Sequence, residues 1–153
     1  MLTKSKQLIF GVCFLIGLSS LSWATDKGKP IDLTAYKDKV VLVDFWASWC
    51  SPCRQSFPWL NKMQQKYEAK GLVIIGVNVD ENSEDAHKFL KKHPALFKLL
   101  FDPKGEHASY YKIPGMPTTL IFDRKGVLQH SHSGFKKKKR QEYEQIIKQA
   151  LAL

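Results

Sequence analysis

The chain has 153 residues, a net charge of +10 from 24 Lys/Arg against 14 Asp/Glu, 44% apolar residues and three cysteines. That is one ordinary domain with enough apolar matter for a core, which excludes a disordered chain and a multidomain enzyme. No apolar run reaches the ~20 residues of a membrane-spanning helix, and three cysteines are too few for a disulfide-stapled scaffold.

Residues 1–24 read as an export signal. Lys4 and Lys6 give a positive start, Leu8 to Leu21 an apolar stretch, and Ser22-Trp23-Ala24 a small-residue cleavage site. Cleavage after Ala24 is expected, with an uncleaved amino-terminal anchor as the alternative. Cys13 leaves with the leader, so the mature domain, residues 25–153, keeps Cys50 and Cys53. Loss of the leader's two lysines lowers the net charge from +10 to +8. The expected compartment is periplasmic or otherwise exported, where disulfides persist.

In the mature chain, Pro30 to Leu33 is a short segment that could pair at a sheet edge. Val40 to Trp46 is a near-continuous apolar run, the mark of a strand buried on both faces. Pro52 to Lys70 reads as a helix, with Phe57, Leu60, Met63 and Tyr67 on one face, a kink at Pro58 and a cap at Gly71. Leu72 to Val79 is a second buried strand. Ser83 to Lys92 reads as a helix capped by Ser83. Leu96 to Phe101 is a short strand and Glu106 to Tyr111 a short helix or turn. Thr118 to Phe122 and Val127 to Ser131 form a hairpin about the turn Arg124-Lys125-Gly126. Lys139 to Leu151 closes the chain as a helix, with Tyr143, Ile146, Ile147 and Ala150 on one face. Strands alternating with helices predict a layered α/β fold around one sheet, ending in an antiparallel hairpin and a helix.

The chemistry is carried by Trp49-Cys50-Ser51-Pro52-Cys53. The pair falls between a buried strand and a helix start, where unpaired backbone N–H groups and the helix dipole favour thiolate over thiol. Cys50 is expected to be the exposed nucleophile and Cys53 the buried resolving thiol. An inert disulfide and a metal carrier are the alternatives. One Cys-x-x-Cys supplies two ligands where structural zinc takes four, and a copper carrier would recruit His130 or His132, which share a strand face.

The stretch Val43-Asp44-Phe45-Trp46-Ala47-Ser48-Trp49-Cys50-Ser51-Pro52-Cys53 resembles the active-site segment of the thioredoxin superfamily. Met116-Pro117-Thr118-Thr119 resembles that fold's cis-proline loop. Gly76-Val77-Asn78-Val79-Asp80-Glu81 is similar to the TlpA/ResA group of secreted thiol–disulfide oxidoreductases, whose extra strand–helix element residues 80–103 can hold. The resemblance spans about residues 36–152. It implies a thioredoxin fold, a three-layer α/β/α sandwich with a central mixed sheet, with Cys50 and Cys53 as the redox pair and no cofactor or metal. It implies a cis peptide at Pro117, leaving the Met116 backbone free to bind an extended substrate strand. It also implies a shielding ring at Trp49 and a proton-transferring carboxylate at Glu81, near the cysteines. Asp44 matches the buried acid of thioredoxin, where TlpA/ResA members commonly carry an uncharged residue. The two acids would then titrate together.

By the same resemblance the enzyme reduces oxidised cysteines of other exported proteins and is recharged by a membrane electron donor, and cytochrome c maturation is a role known in the group. An oxidase or isomerase of the same fold is the competing direction. One feature lies outside the resemblance. Lys136-Lys137-Lys138-Lys139-Arg140 meets the start of the last helix, where the dipole disfavours cations. It reads as a solvated turn or as a contact for acidic partners or lipid headgroups; nucleic acid is not an expected partner.

Overall fold

A computed structural model describes residues 28–153; the export signal expected over residues 1–24 lies outside them. Five strands form one mixed sheet in the order β3-β2-β1-β4-β5. β1 (Val40–Trp46) runs parallel to β2 (Leu72–Asn78), and β2 parallel to β3 (Lys98–Phe101). β4 (Thr118–Phe122) is antiparallel to β1 and to β5 (Leu128–Ser133). Every residue of β1 is buried, as its near-continuous apolar run, broken only by Asp44, leads one to expect of a central strand.

Alternation along the strands divides the core in two. On one face Val40, Leu42 and Trp46 meet α1 (Ser51–Tyr67), α2 (Ser83–Lys92) and α4 (Arg140–Leu151) through Phe57, Leu60, Phe89 and Ile147. On the other, Val41, Val43 and Phe45 meet Ile31 and the region of α3 (Glu106–Tyr110), with Ala108 and Tyr111 against the cluster. The result is the expected α/β/α sandwich.

Four local expectations are corrected, each by a hydrogen bond that competes with the assumed structure. Pro30 to Leu33 forms no strand. The Asp32 carboxylate takes both the N–H and the hydroxyl of Thr34, starting a 3₁₀ turn over Thr34–Tyr36, while Ile31 is buried and donates its N–H to the Tyr111 hydroxyl. α2 is capped by Asn82 rather than Ser83, because the Asn82 side chain accepts from the Glu84 N–H. β3 begins at Lys98 because Asn61 of α1 takes the Leu96 N–H. β5 begins at Leu128 because the Val127 N–H turns to the Asp123 carboxylate; Gly126, at φ +76°, supplies the left-handed step of that turn. α1 runs without interruption past Pro58, and a 3₁₀ turn over Glu68–Lys70 carries it to Gly71 at φ +97°.

Candidate active site

Cys50 is the N-cap of α1 and Cys53 lies in its first turn. Their sulfurs are joined, and Cys50 Sγ also accepts the Cys53 N–H at 3.2 Å. Pro52 occupies the first turn, where its missing N–H costs no intrahelical bond. The expectation of an exposed Cys50 is corrected. It is 3% exposed, against 0% for Cys53, and both belong to the core cluster of Trp46 and Phe57. The physical reason is the bond itself, which turns Cys50 Sγ onto the first helical turn. The exposed group is its neighbour Trp49, 66% accessible, so its ring stands in solvent and is not a packing element.

The Met116–Pro117 peptide is cis. Pro117 is buried, its carbonyl accepts the Gly134 N–H at 2.7 Å, and the Thr118 hydroxyl donates to the Gly115 carbonyl at 2.7 Å. Met116 packs against the cluster that holds both cysteines. Among the described residues its backbone N–H and carbonyl take part in no hydrogen bond.

Asp44 is 1% exposed and points from β1 to the face of Leu42 and Trp46, the face on which the cysteines pack. Opposite it in register stands Thr119, whose hydroxyl donates to Asp44 Oδ1 at 2.8 Å. Oδ2 has no partner. Burial pushes the Asp44 carboxyl up to about 7, with the Thr119 hydroxyl opposing the shift.

Glu81 is exposed, so the loop's buried acid is not the residue that the resemblance implies. The buried acid of that loop is Asp80, 6% exposed. Its carboxylate accepts from the Ser48 N–H at 2.9 Å, the Ser48 hydroxyl at 3.0 Å and the Asn78 side chain at 2.7 Å. With the Val79 N–H donating to the Trp46 carbonyl, this network fixes the backbone that delivers Cys50. The sequence reading passed over Asp80, Ser48 and Thr119. The available signal was the polar Asn78-x-Asp80 ending to an otherwise apolar strand.

His130 and His132 do share a face of β5, their rings 5.5 Å apart, but both are partly buried rather than solvated. His132 stacks on Tyr143 of α4 at 4.5 Å, and burial lowers its pKa to about 4, assisted by His130. Among the described residues no cluster of three or more His, Cys, Asp or Glu is placed to hold a metal.

Sulfurs bonded across one helical turn, one of them at the helix mouth, make a dithiol–disulfide couple; the chain is a thiol–disulfide oxidoreductase of thioredoxin-like fold. It belongs to the Redoxin family, which it matches over residues 18–147. It is 38% identical to the thioredoxin-like protein YneN of Bacillus subtilis over 124 residues, covering 79% of this chain and 72% of that one. It is 33% identical to the thiol-disulfide oxidoreductase ResA of Bacillus thuringiensis subsp. konkukian over 118 residues, or 76% and 68% of the two chains. A crystal structure assigned as the thiol:disulfide interchange protein DsbE of Chlorobium tepidum superposes with a TM-score of 0.76 at 49% identity, over 78% of this chain and 84% of that one.

Proposed function

We propose that the reduced Cys50/Cys53 pair reduces disulfides of other exported proteins. The Cys50 thiolate attacks a client disulfide, forming a mixed disulfide and releasing one client thiol. Cys53 then attacks Cys50 Sγ, closes the Cys50–Cys53 disulfide and releases the second thiol. The client gains two electrons and two protons, and the pair loses them. Recharging requires a dithiol donor on the membrane side of the exported compartment.

The observation that carries the reductive direction is buried Asp44. Strong oxidants of this fold owe their potential to a stabilised reduced thiolate. A desolvated, half-paired carboxyl on the cysteines' face of the sheet opposes a second negative charge there. The unpaired Met116 backbone beside the cis-proline supports docking of the client as an extended strand. Exposed Trp49 offers a flat aromatic surface to the same client. Apocytochrome c is one client class in the group this chain resembles. The protein acts outside the cytoplasm, with its leader removed after Ala24.

Equilibration with glutathione buffers tests the direction. A midpoint near about −250 mV fits a reductant, and one near about −120 mV would make the protein an oxidant. Cys53→Ala is expected to accumulate mixed disulfides with clients, and its failure to do so while Cys50 remains reactive would end the resolving role. Amino-terminal sequencing of the exported protein should begin at Thr25; a retained leader would mean a tethered enzyme.

A further inference from the structure

The basic run is divided by its own hydrogen bonds. Lys139 pairs with Glu142 at 3.0 Å, one turn along. Arg140 Nε donates to the Lys137 carbonyl at 2.9 Å, fixing the guanidinium against the 3₁₀ turn. Lys137 and Arg140 then form one wall of a groove of about 640 Å³ between α1 and α4, whose other wall carries Arg54 and Lys62. None of these four cations makes a salt bridge among the described residues, although Lys62 lies near enough to Glu144 to help lower its pKa. The one acid in the groove, Glu144, is already engaged: Lys66 Nζ and the Tyr67 hydroxyl both donate to it at 2.6 Å. The floor is Trp59, half-buried, with Phe135 at 5.6 Å and Tyr143 at 6.0 Å.

We infer that this groove docks an acidic, extended segment of the protein whose disulfide Cys50 attacks. The inference rests on the reading of a protein disulfide as substrate. Four cations without a salt bridge, set on two walls against a single acid, favour an anionic occupant. The groove's shape favours a chain over a lipid surface, since the charges line a trench rather than a plane. Its place fits a client. Arg54 directly follows Cys53, and the groove runs from there down α1 to Lys62, about 12 Å of helix at ~1.5 Å per residue. An extended strand covers that length with about four residues. A client held at the Met116 backbone on one side and in this groove on the other would have its disulfide between them. This also gives Lys137 and Arg140 a use that helix stability denies them.

The test is a titration of the full mature protein, by tryptophan fluorescence at low salt, with a short cysteine-free peptide carrying an Asp-Glu-Asp-Glu core. The control peptide carries Asn and Gln in those places. The acidic peptide is expected to bind, the control not, and the double variant Lys137→Glu/Arg140→Glu to weaken the acidic peptide about ten-fold. Binding should fade at ~1 M salt, where screening reaches ~3 Å. Equal binding of both peptides overturns the inference. So does unchanged affinity in a double variant whose melting temperature is native. If the double variant leaves peptide binding intact but releases the protein from vesicles containing phosphatidylserine, the groove serves a membrane. None of these readings depends on turnover, so a failure of disulfide reduction would be seen separately in the peptide-free assay with glutathione disulfide.

Discussion

Asp44 is where the chemistry and the stability of this domain conflict. Its carboxyl titrates near 7 in the fold against 3.8 in an unfolded chain. A raised carboxyl pKa means that the fold prefers the protonated acid. Its contribution is therefore intact below pH 4 and is withdrawn as pH rises through 7, because the unfolded chain ionises freely while the native one resists. Asp44→Asn should stabilise the protein by an amount on the order of 4 kcal/mol above pH 8, with no gain below pH 4, measured by urea denaturation across that range. The Thr119 hydroxyl can still donate to the remaining oxygen, so the substitution removes charge and leaves the fold. An equal gain at all pH values would mean that burial of the charge is not the cause. The same variant should lose the step near pH 7 in kcat/KM for disulfide reduction, if Asp44 manages the proton that the resolving thiol gives up. Thr119→Val, which removes the one opposing hydroxyl, should move that step upward.

At the scale of the element, the N-terminus of α1 governs reactivity. Cys50 caps the helix with its own sulfur, and the Cys53 N–H that it accepts in the disulfide stands ready to receive a thiolate after reduction. Iodoacetamide should therefore label Cys50 of the reduced protein at least about ten-fold faster than Cys53 at pH 7, with a midpoint below the ~8.5 of a free thiol. Labelling of Cys53 first, or of neither, would remove the nucleophile from the mechanism. α2 depends on its cap in the same way. Asn82→Ala, which strips the acceptor from the Glu84 N–H, should cost about 1 kcal/mol in chemical denaturation without changing Cys50 reactivity. The strands and the catalytic helix could be read from the sequence because their signals are local: a run of Val and Leu, a Pro after Cys, apolar residues at helical spacing. Element ends could not: Asn61 claims the Leu96 N–H across 35 residues, which only the fold brings near, and Asp32 and Asp123 claim N–H groups two and four residues on, which apolar periodicity does not register.

The same division holds for the whole molecule. Cys50, Cys53 and Pro117 stand out in any reading of the chain, whereas the support beneath them depends on register. Asp44 meets Thr119 because β1 and β4 are antiparallel in one particular alignment, and Asp80 rather than Glu81 turns inward because it lies two residues past Asn78, on the same side of the chain, where the Asn78 side chain donates to it. Gly76 is the clearest case of a residue with meaning only in the assembled core. It lies opposite Asp44 on β2, and an added Cβ would stand 2.7 Å from Phe97 Cε2 and 3.1 Å from Trp46 Nε1. Those rings belong to an aromatic cluster in which the Phe57 ring lies within 5.2 Å of those of Trp46, Phe89 and Phe97, joining β1, α1, α2 and the approach to β3. The backbone at Gly76 is not left-handed, so alanine is excluded by packing alone. Gly76→Ala should destabilise the domain by about 1–3 kcal/mol and, by shifting Trp46, alter its near-ultraviolet circular dichroism. Reducing Phe97 as well, in Gly76→Ala/Phe97→Leu, should recover part of that loss, because the closest clash is with a ring edge rather than with backbone. If the double variant is no better than the sum of the two single ones, the cluster is not what confines position 76, and the link from the sheet's centre through Trp46 to the cysteines is broken.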